Sequence, residues 1–113
     1  MASKFQNKLI EEGYCDSRGA GFCATATQLP QAYGMVLLCV NGNMLNLYDV
    51  DMKSNAKALL YEVELCRISN LIIKTGLLSQ KLQFEYEGFV YSFTNFVGVS
   101  PALKVIEEEA NRH

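Results

Sequence analysis

The stretch Lys81-Leu-Gln-Phe-Glu-Tyr-Glu-Gly-Phe-Val-Tyr-Ser-Phe93 constrains the fold of this chain more than any other. Leu82, Phe84 and Tyr86 alternate with Lys81, Gln83, Glu85 and Glu87; Phe89, Tyr91 and Phe93 then alternate with Val90, Ser92 and Thr94. Strict alternation is the period of a β-strand, whose successive side chains point to opposite faces. A two-residue turn at Glu87-Gly88 pairs Tyr86 with Phe89, Phe84 with Tyr91 and Leu82 with Phe93, and all six share one face. The register closes with no residue left over. A slip of one residue in either strand would turn its apolar set outward. Aromatic cross-strand pairs of this kind contribute about 0.2–1 kcal/mol each beyond an alanine reference.

The rest of the chain reads as more strands between two helices. Lys4–Glu12 has Phe5, Leu9 and Ile10 at helical spacing, with Ser3 as cap and Gly13 as its end. Tyr14–Gly21 is a loop. In the strand Phe22–Gln28, Phe22, Ala24 and Ala26 face one way and Thr25 and Thr27 the other, and Pro30 breaks it. Asn41-Gly42 between Met35–Val40 and Met44–Asp51 signals a hairpin with Val36, Leu38, Leu45 and Leu47 on a common face. Asp51–Lys57 is a polar loop. In Ala58–Cys66, Leu59, Tyr61, Val63 and Leu65 oppose Glu62 and Glu64, as in a half-buried antiparallel strand. Ile68–Thr75 is a strand whose inward set is either Ile68 and Ile72 or Leu71 and Ile73. Ser100 and Pro101 then start a helix in which Leu103, Ile106 and Ala110, joined by Ala102 and Val105, form one apolar stripe. Glu107–Glu109 lie where the helix dipole disfavours them, so packing must hold this helix.

Composition sets the class. A chain of 113 residues, half of them hydrophobic and 19% charged, is one globular domain and not a disordered one. Ten Lys and Arg against twelve Asp and Glu give a net charge of −2, which disfavours a general nucleic-acid binder. Charged and amide side chains interrupt the N-terminus too often for a secretory signal, and the longest apolar run, Met35–Val40, is far too short to span a membrane. The expected location is the cytoplasm. Cys15, Cys23, Cys39 and Cys66 are then expected as reduced thiols, with no CxxC pairing to suggest zinc.

The order of elements resembles the pleckstrin-homology-like fold, and more narrowly the bacterial pleckstrin-homology-like domains. The matching text is the strand at Ala58, Arg67-Ile-Ser-Asn-Leu-Ile-Ile-Lys-Thr-Gly76, the Lys81–Phe93 hairpin and the Pro-led helix. The resemblance spans about residues 20–110 and implies a mostly β chain: a seven-stranded antiparallel split barrel over residues 20–96, capped by an amphipathic helix over 101–111. Residues 1–13 add a short helix outside that pattern. Lipid-binding relatives carry a lysine-rich first hairpin loop. The equivalent here, Gln28-Leu-Pro-Gln-Ala-Tyr33, has no basic residue, which puts phosphoinositide binding in doubt. The tryptophan that many relatives carry in the last helix is missing too.

Residues able to do chemistry are sparse. The only histidine, His113, is terminal, so a Cys–His pair is not expected, and no phosphate-cradling glycine motif occurs. Glu62/Glu64 and Glu85/Glu87 read as solvated faces, and Asp49/Asp51 as a loop entry or a site for a hard cation. No catalytic residue, cofactor or metal is expected. A basic patch of Arg18, Lys53 and Lys57, if their loops meet, would attract phosphate or an acidic surface. Met35, Leu37 and Cys39 make the strand Met35–Val40 apolar on both faces, to be covered by the N-terminal helix or by another subunit. The expected function is a non-catalytic binding or assembly domain whose partner is a protein or a second copy, with no nucleic acid. The alternative is a small-molecule or lipid carrier using the aromatic interior.

Overall fold

The computed structural model describes residues 4–29, 32–53, 55–76, 80–97 and 102–112. The expected caps Ser3, Ser100 and Pro101, and the strand-breaking Pro30, lie outside them. Helix α1 (Lys4–Glu11) is followed by β1 (Gly21–Leu29), β2 (Ala32–Asn41), β3 (Met44–Val50) and β4 (Ala56–Glu64). A 3₁₀ turn (Leu65–Arg67) leads to β5 (Ser69–Thr75), β6 (Gln80–Tyr86), β7 (Phe89–Val97) and helix α2 (Ala102–Ala110). The seven strands form one antiparallel sheet in the order β4-β3-β2-β1-β7-β6-β5.

The β6–β7 hairpin has the register read from its alternation: Leu82 opposite Phe93, Phe84 opposite Tyr91, Tyr86 opposite Phe89. Glu87 and Gly88 take φ of 51° and 84°, the left-handed pair that a type I′ turn requires. The β2–β3 turn differs by one residue. Asn41 pairs with Met44, so Gly42-Asn43 and not Asn41-Gly42 makes the turn, with Gly42 at φ 63°. The slip leaves the face unchanged, because both turns keep Val36, Leu38, Leu45 and Leu47 in phase; all four are buried.

Extra residues on β1, β4, β5 and β7 shift the ladders. A bulge bends its strand and sharpens the twist, and together these curl the sheet around one core. Tyr61 of β4 accordingly meets Tyr91 of β7 edge-to-face, centroids 5.6 Å apart. The core takes Phe22, Ala24 and Ala26 from β1, Val36, Leu38 and Val40 from β2, and Leu82, Phe84 and Phe93 from the hairpin. α2 adds Ala102, Leu103, Val105 and Ile106 to this core and packs against the 3₁₀ turn and β2. The stripe of α2 therefore packs into the curled sheet as its spacing requires. The expected barrel, however, is an open sheet with β4 and β5 as its edges.

The bulges also account for the strand faces that alternation misplaced. Leu60 is the extra residue between Leu59 and Tyr61 on β4, so Leu60 turns to the core and Leu59 is 46% exposed. The strand ends at Glu64 and Leu65–Arg67 coils, so the run to Cys66 is shorter than its alternation implies. On β5, Asn70 at φ 54° changes the phase, so Ile68 packs on the core together with Leu71 and Ile73, while Ile72 faces out. At the hairpin tip, Phe89 is 55% exposed despite its inward phase. The β1 ladder reaches β7 at Phe93, and among the described residues no neighbouring strand backs the tip.

α1 lies on the other face of the sheet. Gly13 (φ 83°) ends it in a Schellman cap: Tyr14 N–H donates to Leu9 O (3.0 Å) and Gly13 N–H to Ile10 O (3.1 Å). Leu9, Cys15, Cys23, Leu37 and Cys39 form a second small core there, flanked by Phe5, Ile10, Tyr14 and Tyr48. The apolar outer face of β2 is thus covered from within the chain at Leu37 and Cys39, while Met35 stays 45% exposed. Among the described residues no helix is long and apolar enough to cross a membrane.

Candidate functional site

The densest polar constellation sits where the α1–β1 loop, the β2–β3 turn and α2 converge. Asp16 accepts from the backbone N–H of Arg18 (3.0 Å) and of Gly42 (2.8 Å), which fixes the loop to the turn. The Arg18 guanidinium donates to both Asp16 oxygens, at 2.6 Å to Oδ2 from Nη2, to Gly42 O at 2.8 Å and to Glu109 Oε2 at 2.6 Å. Glu109 is on the apolar face of α2, its side chain 6% exposed, with Arg112 Nε a further 3.6 Å from the same oxygen. Arg18 holds the Asp16 carboxyl down at about 2, chiefly by hydrogen bonding, and Asp16 in turn raises Arg18. An open cleft of about 750 Å³ borders this cluster, with Ser17, Asn43 and Cys66 on its walls.

This arrangement clamps three chain segments and leaves little for a ligand. Two carboxylates balance Arg18 and Arg112, and the Arg18 fork is already engaged along most of its donors. Lys53 and Lys57 are not with it. They flank the β3–β4 loop, at the opposite end of β3 from Gly42, roughly 20 Å away at about 3.4 Å per residue. Lys53 there borders a groove with Phe5, Lys8, Glu12 and Asn55. Lys8 Nζ donates to Asn55 Oδ1 (3.2 Å). The structure therefore does not bring Arg18, Lys53 and Lys57 into one patch.

Asp51 organises its own loop: Oδ1 accepts from Lys53 N–H (2.8 Å) and Asn55 N–H (2.9 Å), bonds that lower its carboxyl. Asp49 accepts from Val50 N–H (3.0 Å). Among the described residues no group of three or more His, Cys, Asp and Glu is placed to hold a metal ion. All four cysteines are free thiols.

The aromatic interior is occupied by its own rings. Phe84 stacks on Tyr91 at 5.1 Å and tilts against Phe93 at 6.4 Å, all three buried. Burial pushes the Tyr91 hydroxyl above its ordinary value. Exposed apolar side chains lie on both halves: Met35, Met52 and Leu59 on the β2–β4 side, and on the β5–β7 side Ile72 on the outer face of the edge strand, Val90 on the same face and Phe89 at the hairpin tip. Among the described residues α1 covers the β1–β3 half only.

The clamp escaped the sequence reading, although a signal for it exists. Glu109 lies three residues after Ile106, on the buried stripe, and a carboxylate there demands a cationic partner. No family model matches this chain, and neither a curated protein nor a solved structure shows significant similarity to it.

Proposed function

We propose that this chain is a non-catalytic binding and assembly domain of pleckstrin-homology-like architecture, which docks a protein or a second copy of itself along the β5 edge and the β6–β7 hairpin. The observation that carries this reading is the asymmetry of the outer face. α1 covers Cys23, Leu37 and Cys39 on the β1–β3 half, whereas among the described residues no helix covers Ile72 and Val90 on the β5–β7 half, beside the unpaired β5 strand and the exposed Phe89 at the hairpin tip. An edge strand offers free backbone donors and acceptors, and apolar side chains beside it supply the burial that association needs. The filled interior supports the same reading against a carrier, since a ligand would have to displace the Phe84–Tyr91 stack.

Light scattering over a concentration series tests self-association, and capture from native cell extract tests a separate partner. The expected result is a concentration-dependent mass or a captured protein, either one lost in Val90→Lys and Ile72→Lys while the fold is kept. A monomer at all concentrations that captures nothing, or a small molecule co-purifying in native mass spectrometry, overturns the proposal; the second result supports the carrier.

A further inference from the structure

The outer core contains a feature that partner docking does not use: two buried sulfurs converging on one spot. Cys15 enters from the α1–β1 loop, where Asp16 N–H donates to Val40 O (3.3 Å) and lays the loop beside β2. Cys39 comes from β2, directly opposite Gly21 of β1. A methyl group placed on Gly21 would lie 2.8 Å from Cys15 Sγ and 3.7 Å from Cys39 Sγ, so both sulfurs crowd over the same glycine. They are 3% and 0% exposed.

We propose that Cys15 and Cys39 are a redox pair that closes into an intramolecular disulfide and fastens the α1 cover to the sheet. Their side chains share a hydrogen bond, which lowers Cys15 against the opposing effects of burial and Asp16; the same bond, then burial, raises Cys39. Cys15, carried on the α1–β1 loop, is the attacking thiolate, and Cys39, held within β2, the resolving thiol. With a low-molecular-weight disulfide as oxidant, the Cys15 thiolate attacks one of its sulfurs, forming a mixed disulfide and expelling one thiolate. Cys39 gives its proton to that thiolate and attacks Cys15 Sγ, expelling the second. Two protein thiols are oxidised, the reagent is reduced to two thiols, and both protons end on them. Because both sulfurs are buried, the first attack requires the α1–β1 segment to lift. Closure of the disulfide then holds that segment down. Cys23 lies in the same outer core and Cys66 outside it on the wall of the clamp cleft, so both serve as internal controls.

The test uses the full chain, purified reduced and equilibrated with glutathione disulfide, followed by non-reducing peptide mass spectrometry. The expected product is a single Cys15–Cys39 linkage with loss of two hydrogens, retained in Cys23→Ser and Cys66→Ser and absent in Cys15→Ala. Amide hydrogen exchange of α1 should be slower in the oxidised protein than in the reduced one. A folded protein that forms no internal linkage, that links through Cys23, or that carries only a glutathione adduct on Cys66 overturns the proposal. So does an oxidised protein whose α1 exchanges as fast as the reduced form. The wild-type linkage is identified directly, so the outcome does not depend on whether a variant folds.

Discussion

Replacing Arg18 by Met removes the clamp while keeping most of the aliphatic stem. The guanidinium has two kinds of partner. Its contact with Asp16 is at the rim, with side chains 32% and 24% exposed, and solvent screening leaves such a pair about 0.5–1 kcal/mol. Its 2.6 Å bond to Glu109 is different, because that side chain is only 6% exposed, and a charge-assisted bond there contributes about 1.5–3 kcal/mol. Once Arg18 is gone, Glu109 keeps among the described residues only Arg112, at 3.6 Å and 72% exposed, and a buried carboxylate is left poorly paired. The sum is a loss of about 2–4 kcal/mol at neutral pH, or roughly 8–20 °C in Tm at about 4–5 °C per kcal/mol for a domain of this length. Urea unfolding at pH 7 measures it as a lower midpoint at unchanged m-value. The cause is isolated by a second substitution. Glu109→Gln on the Arg18→Met background removes the stranded charge and should recover about 1 kcal/mol. A loss below about 0.5 kcal/mol from Arg18→Met, or further destabilisation on adding Glu109→Gln, would refute the clamp as described.

Two further outcomes follow from the same geometry and from the outer core. Asp16 is depressed from 3.8 to about 2 in the folded chain, so the stability it supplies is full above about pH 4 and is lost as pH falls through 2. The shift corresponds to about 2.4 kcal/mol before screening and about 1–2 kcal/mol after it; Asp16→Asn should flatten that acid limb in pH-dependent unfolding, and an unchanged limb would count against it. Gly21→Ala puts a methyl 2.5 Å from Leu9 Cδ1 and 2.8 Å from Cys15 Sγ, so α1 must shift outward. The expected cost is about 1–2 kcal/mol, because both clashing atoms are side-chain ends that can give. Hydrogen exchange should quicken in α1 and not in the β6–β7 hairpin; equal acceleration in both would contradict a separate outer core.

The hairpin at Glu87-Gly88, the apolar stripe of α2 and the Gly13 stop of α1 were legible in the sequence because each depends on neighbours a few residues apart. Alternation specifies a strand face, helical spacing a helix face, and a left-handed φ a turn or cap, with no knowledge of the remainder. What only the tertiary structure decided is where a local period breaks and which distant groups meet. The bulges at Leu60 and Asn70 follow from curling the sheet around one core; the first moved Leu59 to the surface against the simple alternation, and the second put Ile68 inward together with Leu71 and Ile73, which the alternation had left as competing sets. Lys53 and Lys57 were separated from Arg18 by the length of β3, whereas Glu109 was brought to Arg18 from 91 residues away. Side-chain period is a property of the backbone step and so is written along the chain. Charge pairing between distant segments depends on the path of the whole sheet, which no local pattern contains.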